Sequence, residues 1–181
     1  MTPLAFGIDF GTSNSTVGLA DSAGARLLAL EDASPTLPSA VFWQVEGAPP
    51  LFGRAAIAAY LEGEDGRLMR GLKSTLGSGL IHDKTAVGGR AVAFREVLAR
   101  FIGHLRAAQQ AVAPSDSVVL GRPVHFVDDD PAADAAAEAV GVEAVVRDAV
   151  VQNEATGCQD PRDLAEVGGE AAHPDMLEHP H

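Results

Sequence analysis

Apolar positions open the chain in short runs broken by small and polar residues. Leu4–Phe10 carries Ala5, Phe6, Ile8 and Phe10, and the turn-rich stretch Gly11-Thr12-Ser13-Asn14-Ser15 closes it. Thr16–Ala20 resumes the apolar pattern and Arg26–Leu30 gives another run. Asp21-Ser22-Ala23-Gly24 between them has the composition of a hairpin turn. Ala40–Val45 is a fourth strand candidate, so the opening predicts an antiparallel meander. After Pro49-Pro50, Arg54–Leu61 has helical composition, and residues 62–90 predict glycine-rich loops with a short helix near Leu68–Leu72. The strongest periodic signal is Phe94–Val112. There Phe94, Val97, Leu98, Phe101, Ile102, Leu105, Ala108 and Val112 recur at the spacing of one buried helix face. Arg95, Glu96, Arg100, Arg106 and Gln109 fall opposite. Pro114-Ser115-Asp116 ends that helix, and Ser117–Leu120 predicts a buried strand. Asp130 before Pro131 predicts a capped helix through about Val140, and Val142–Val146 one more strand. This order implies an α/β fold with a mixed sheet.

The pattern fails at the end. Residues 151–181 hold only five Val, Ile, Leu, Met or Phe residues, no aromatics and no sustained period. Pro161, Pro174, Pro180 and Gly168-Gly169 interrupt them, and a poorly ordered tail is expected. Half of the net charge of −12 lies in those residues.

Composition narrows the function classes. The chain has 181 residues and is 46% hydrophobic, enough to bury a core. No apolar run reaches the ~18–20 residues of a membrane span. The start Met1-Thr2-Pro3-Leu4 lacks the basic region of a secretory signal, so a cytoplasmic protein is expected. A single cysteine, Cys158, excludes an internal disulfide framework and a cysteine-based zinc cluster. The acidic balance argues against binding to nucleic acid or to an anionic membrane. Only two lysines occur, Lys73 and Lys84.

The candidate chemistry lies in Gly7-Ile8-Asp9-Phe10-Gly11-Thr12-Ser13-Asn14-Ser15. A strand ends in a carboxylate, a glycine follows, and hydroxyl and amide side chains turn into the next strand. Glycine lets backbone N–H groups approach an anion, and Thr and Ser hydroxyls donate to phosphate oxygens. A nearby carboxylate suits a hydrated magnesium ion. No Gly-Lys-Ser/Thr follows, so this is not a Walker loop. An ordinary hairpin uses the same residue types, and on these residues alone both readings stand.

This segment resembles the first phosphate motif of the actin-like ATPase superfamily, which sugar kinases and the seventy-kilodalton heat-shock chaperones carry. Four further segments are similar to the chaperone branch. Thr36-Leu37-Pro38-Ser39-Ala40-Val41-Phe42 resembles its Thr-Pro-Ser strand start, and Leu51-Phe52-Gly53-Arg54-Ala55-Ala56 its Gly-x-Ala-Ala helix start. Gly71-Leu72-Lys73-Ser74-Thr75-Leu76-Gly77 looks like the segment bearing its catalytic lysine. Val118-Val119-Leu120-Gly121-Arg122-Pro123-Val124-His125-Phe126 resembles the strand that ends in its switch proline. The Gly-Arg-Pro-Val variant looks closer to the divergent bacterial relatives of these chaperones than to the housekeeping one.

The resemblance implies a ribonuclease-H-like lobe with a mixed five-stranded sheet and a small irregular subdomain over about residues 40–112. Residues 1–150 would be the N-terminal lobe of the nucleotide-binding domain. The cofactors implied are ATP or ADP with magnesium. Asp9 would hold the metal through water, Gly11, Thr12, Ser13 and Asn14 would cradle phosphates, and Lys73 would stand by the γ-phosphate. Pro123 would relay nucleotide state. The partners implied are nucleotide and, in full-length members, unfolded protein clients or co-chaperones. A sugar or metabolite kinase of the same superfamily shares only the first motif. A non-catalytic interaction module is the third reading.

The likeness covers residues 4–141. The family's Glu-Pro-x-Ala-Ala-Ala helix, second phosphate motif and adenosine motif have no counterpart, and Asn153-Glu154-Ala155 is only an echo. A truncated gene or a frame change between about residues 139 and 150 is expected, with weak or no ATPase activity. Asp128-Asp129-Asp130 reads as a solvated loop with a helix cap rather than a metal site, and Cys158 as a free thiol. His173, His179 and His181 read as tail residues. Asn14-Ser15-Thr16 fits a glycosylation sequon but is set aside.

Overall fold

A computed structural model describes residues 5–76, 79–113 and 118–121. In chain order the elements are β1 (Ala5–Phe10), β2 (Asn14–Asp21), β3 (Gly24–Leu27), β4 (Leu37–Pro38), β5 (Ala40–Gln44), β6 (Leu51–Phe52) and α1 (Gly53–Leu61). They continue with β7 (Gly66–Arg70), α2 (Lys73–Leu76), β8 (Lys84–Val87), β9 (Arg90–Ala93), α3 (Phe94–Val112) and β10 (Val118–Gly121). The expected helix from Pro131, the strand at Val142–Val146, Asp128–Asp130, Pro123 and the tail all lie outside the described residues.

The main sheet has five strands in the order β10-β1-β2-β3, with β4 also on β2. It is mixed, because β10 runs parallel to β1 while the other pairs are antiparallel. Alternation builds it. Phe6, Ile8 and Phe10 on β1 and Val17 and Leu19 on β2 are buried, while Ala5 and Asp9 are exposed. The buried face packs on α3, with the Phe10 and Phe101 ring centroids 5.7 Å apart. At the β2–β3 turn the Asp21 carboxylate accepts the Ala23 N–H at 2.8 Å, as turn-forming Asp residues do.

The strand expected at Ala40–Val45 leaves the meander. It is β5, the centre of a separate sheet in the order β6-β5-β7. Both of its faces are buried, which accounts for its unbroken apolar run. Val41 and Trp43 join the core shared with the main sheet and α3, while Ala40 and Phe42 pack against Ala56 and Ala59 of α1.

Residues 62–90 correct the sequence reading. The segment near Leu68–Leu72 is not a helix. Gly66–Arg70 forms β7, paired along its length with β5. Pairing and burial of Met69 on a neighbouring strand decide the conformation there, and local composition does not carry that information. Lys84–Val87 and Arg90–Ala93 form a hairpin, β8–β9, where loops were expected. The region is therefore two small sheets and a helix rather than irregular.

Helix α3 matches its expected span. Its buried arc is wider than the expected stripe. Arg106 and Gln109, placed opposite by the periodicity, are 8% and 0% exposed, whereas Val112 is 49% exposed. The Gln109 amide donates to the Ala113 carbonyl at 2.8 Å, so its side chain folds onto the helix end. Ala99 and Gly103 are buried too, so contact extends around the helix past the apolar stripe.

Candidate functional site

The site starts where β1 stops. Asp9 stands in register with Thr16 of β2 and Gly121 of β10. Its side chain is exposed, on the face opposite Ile8 and Phe10. The β1–β2 pairing closes at Phe10↔Ser15, leaving Gly11, Thr12, Ser13 and Asn14 as the turn. Only glycine fits at position 11, because a Cβ there would overlap the Asn14 carbonyl oxygen. The side chains of Thr12, Ser13 and Asn14 are exposed. No backbone acceptor among the described residues takes the Thr12 or Ser13 N–H.

This turn is held from a distance. Ser39, between β4 and β5, donates its N–H to the Ser13 carbonyl at 2.9 Å and its hydroxyl to the Gly11 carbonyl at 2.8 Å. Its Oγ also lies 2.9 Å from the Ser15 Oγ. Both serines are buried, at 2% and 0% exposure. The strand start Thr36–Ser39 is fixed in turn by Arg54 of α1. The Arg54 guanidinium donates to the Thr36 carbonyl at 2.8 Å and to the Glu31 carboxylate at 2.6 Å. Glu31 also accepts the Arg54 N–H at 2.7 Å, which places a carboxylate at the positive end of α1. The sequence showed these segments as separate stretches. Their hydrogen bonding into one support is new, and a serine directly after Pro38 was its only local sign.

Lys73 is the first residue of α2 and is partly buried. Its neighbours Leu72 and Leu76 sit in the same core cluster as Phe10, the residue before the turn. Among the described residues no ion pair engages Lys73, and no hydrogen bond joins it to Asp9 or the turn. The structure thus brings Asp9 and Gly11–Asn14 together with Ser39, and ties Lys73 to them through the shared core only. Pro123 lies outside the described residues.

Among the described residues, no group of three or more His, Cys, Asp or Glu side chains could hold a metal ion. Asp9 is therefore not part of a cluster of three such ligands among the described residues. That is compatible with a hydrated magnesium ion, which keeps most of its waters and needs one or two protein carboxylates. Away from the turn, burial lowers the pKa of His104 on α3 from 6.5 to about 4. Its ring stacks on Phe52 with centroids 4.5 Å apart. Among the described residues no helix is long and apolar enough to cross a membrane.

No protein-family model matches the chain, and no curated protein matches it.

Proposed function

We propose that this chain is the phosphate-binding lobe of an actin-like ATPase of the seventy-kilodalton heat-shock chaperone type, with a ribonuclease-H-like main sheet. The carrying observation is the β1–β2 turn. It requires glycine at position 11, is clamped by Ser39, and presents the exposed side chains of Thr12, Ser13 and Asn14 beside the exposed Asp9. Its link to Thr36–Ser39 favours the chaperone branch over sugar kinases, because that segment belongs to the chaperone likeness.

In this reading, Gly11, Thr12, Ser13 and Asn14 bind the phosphate tail of ATP or ADP through N–H, hydroxyl and amide donors. Asp9 would hold a magnesium ion through a water, and the ion would supply charge neutralisation on the phosphates. Lys73 adds a point charge toward the terminal phosphate. Phosphoryl transfer depends on positioning and charge stabilisation from several sides. The chain carries no second phosphate motif. By itself it is therefore expected to bind nucleotide weakly and not to turn it over efficiently.

Calorimetric titration of the full chain with magnesium-ATP tests this. The expected dissociation constant is on the order of 1 mM, weakened further in Lys73→Ala, with no hydrolysis above background. Micromolar affinity with magnesium-dependent hydrolysis that Lys73→Ala abolishes would overturn the half-site reading. Phosphate transfer to a sugar would favour the kinase reading, and no binding at 10 mM would leave an interaction module.

A further inference from the structure

We infer that Ser39 is a positioning residue that presets the backbone donors of the β1–β2 turn for phosphate, an inference that rests on the nucleotide reading above. Ser39 has one hydroxyl hydrogen. The Gly11 carbonyl can only accept, and it lies 2.8 Å from the Ser39 Oγ, so that hydrogen is spent there. The Ser15–Ser39 contact at 2.9 Å must then run from Ser15 as donor to Ser39 as acceptor. A directed chain results: Ser15 hydroxyl, Ser39 hydroxyl, Gly11 carbonyl.

The peptide plane converts this chain into a statement about donors. Across a trans peptide the N–H points opposite the preceding C=O. With the Gly11 carbonyl drawn toward the Ser39 hydroxyl, the Thr12 N–H is aimed away from Ser39. With the Ser13 carbonyl drawn toward the Ser39 N–H at 2.9 Å, the Asn14 N–H is aimed away as well. One buried serine therefore orients two peptide planes of a four-residue turn. Donors fixed before the ligand arrives lose no orientational freedom on binding. Ser39 touches no phosphate itself and acts through Gly11 and Ser13.

The test compares wild type, Ser39→Ala, Ser39→Cys and Ser15→Ala as full chains, each checked for fold by circular dichroism. Cysteine keeps the shape of serine with a somewhat larger atom and is a weak donor, so it carries the test if the alanine variant does not fold. Amide nuclear magnetic resonance of the free protein reads the clamp. Titration with magnesium tripolyphosphate reads its use. Both Ser39 variants are expected to shift the Thr12 amide resonance and speed its hydrogen exchange, and to weaken tripolyphosphate binding about fivefold. Ser15→Ala leaves the Ser39–Gly11 bond in place and is expected to stay within about twofold of wild type. An unmoved Thr12 amide, unchanged affinity in folded Ser39 variants, or equal loss in Ser15→Ala would overturn the inference. A shifted Thr12 amide with no tripolyphosphate binding in wild type would show that the clamp exists while the phosphate reading fails, and the positioning role with it.

Discussion

Two hairpins in this molecule close in opposite ways. The β8–β9 hairpin closes on Gly88-Gly89, both with positive φ, at +54° and +77°. That two-residue turn has the backbone of the primed hairpin turns and is specified by its own sequence. The β1–β2 hairpin closes on four residues, none with positive φ. Its carbonyls at Gly11 and Ser13 are held by Ser39, 28 and 26 positions along the chain. The backbone of the β8–β9 turn is set by its own two glycines, and the rest of the fold meets it only where Gly88 packs on the Val45 side chain. A turn held from afar draws on tertiary contacts to keep exposed hydroxyl and amide groups in one arrangement. Such departures from local self-sufficiency concentrate where a surface is used.

The sharpest way to break the contrast is glycine replacement. Gly11→Ala drives a Cβ into the Asn14 carbonyl and is expected to cost about 3 kcal/mol or more in denaturant unfolding. Gly89→Ala meets open space, and only the positive φ opposes it, so about 1 kcal/mol is expected. Equal costs would remove the distinction. Ser39→Ala is expected between these, at about 2 kcal/mol, because it leaves the buried Ser15 hydroxyl without a partner. Among the described residues no distant side chain hydrogen-bonds the β8–β9 turn; Gly88 abuts the Val45 side chain, whereas Gly89 faces open space.

A change of pH acts on the framework beneath both hairpins, since α3 begins directly after β9 and packs on the main sheet. His104 keeps a folded pKa of about 4 against 6.5 in the open chain. Between those values the unfolded chain binds a proton that the folded chain does not, so stability falls as pH drops from about 6.5 toward 4. The expected loss is about 1–2 kcal/mol after allowance for partial exposure, and His104→Gln should flatten that slope in urea titrations at several pH values. The smallest effect is expected for Arg54→Ala, which loosens the strap behind Ser39. Its pairing with Glu31 is half exposed, at 49% for Arg54, and should contribute about 0.5–1 kcal/mol.

The same contrast explains what was legible in the sequence. Phe94–Val112 was readable because a long amphipathic period is a local property. The first two strands were readable from alternation and the mixed main sheet from the order of elements, whereas the third strand, expected at Arg26–Leu30, is Gly24–Leu27 and exposed throughout. Gly88-Gly89 between Thr85, Val87 and Val92 carried the sign of a hairpin, and glycine content alone led to a loop assignment there. Gly66–Arg70 was not readable as a strand, because its pairing with β5 and the burial of Met69 decide it. At the site, Asp9 and Gly11–Asn14 stood out as a contiguous pattern. Ser39 did not, since its role depends on hydrogen bonds to residues more than twenty positions away. The burial of Arg106 and Gln109 was hidden for a related reason: the period marks one stripe, and packing beyond it comes from the whole fold.

The central claim is that the Gly11–Asn14 turn is a built phosphate cradle. Amide-shift mapping of the full chain with magnesium-ATP beside magnesium-AMP tests it most directly. The expected result is saturable shifts at Gly11, Thr12, Ser13 and Asn14 with ATP, much smaller shifts at equal AMP, and none at Gly88 or Gly89. Unmoved turn amides with ATP, or identical shifts with AMP, would contradict it.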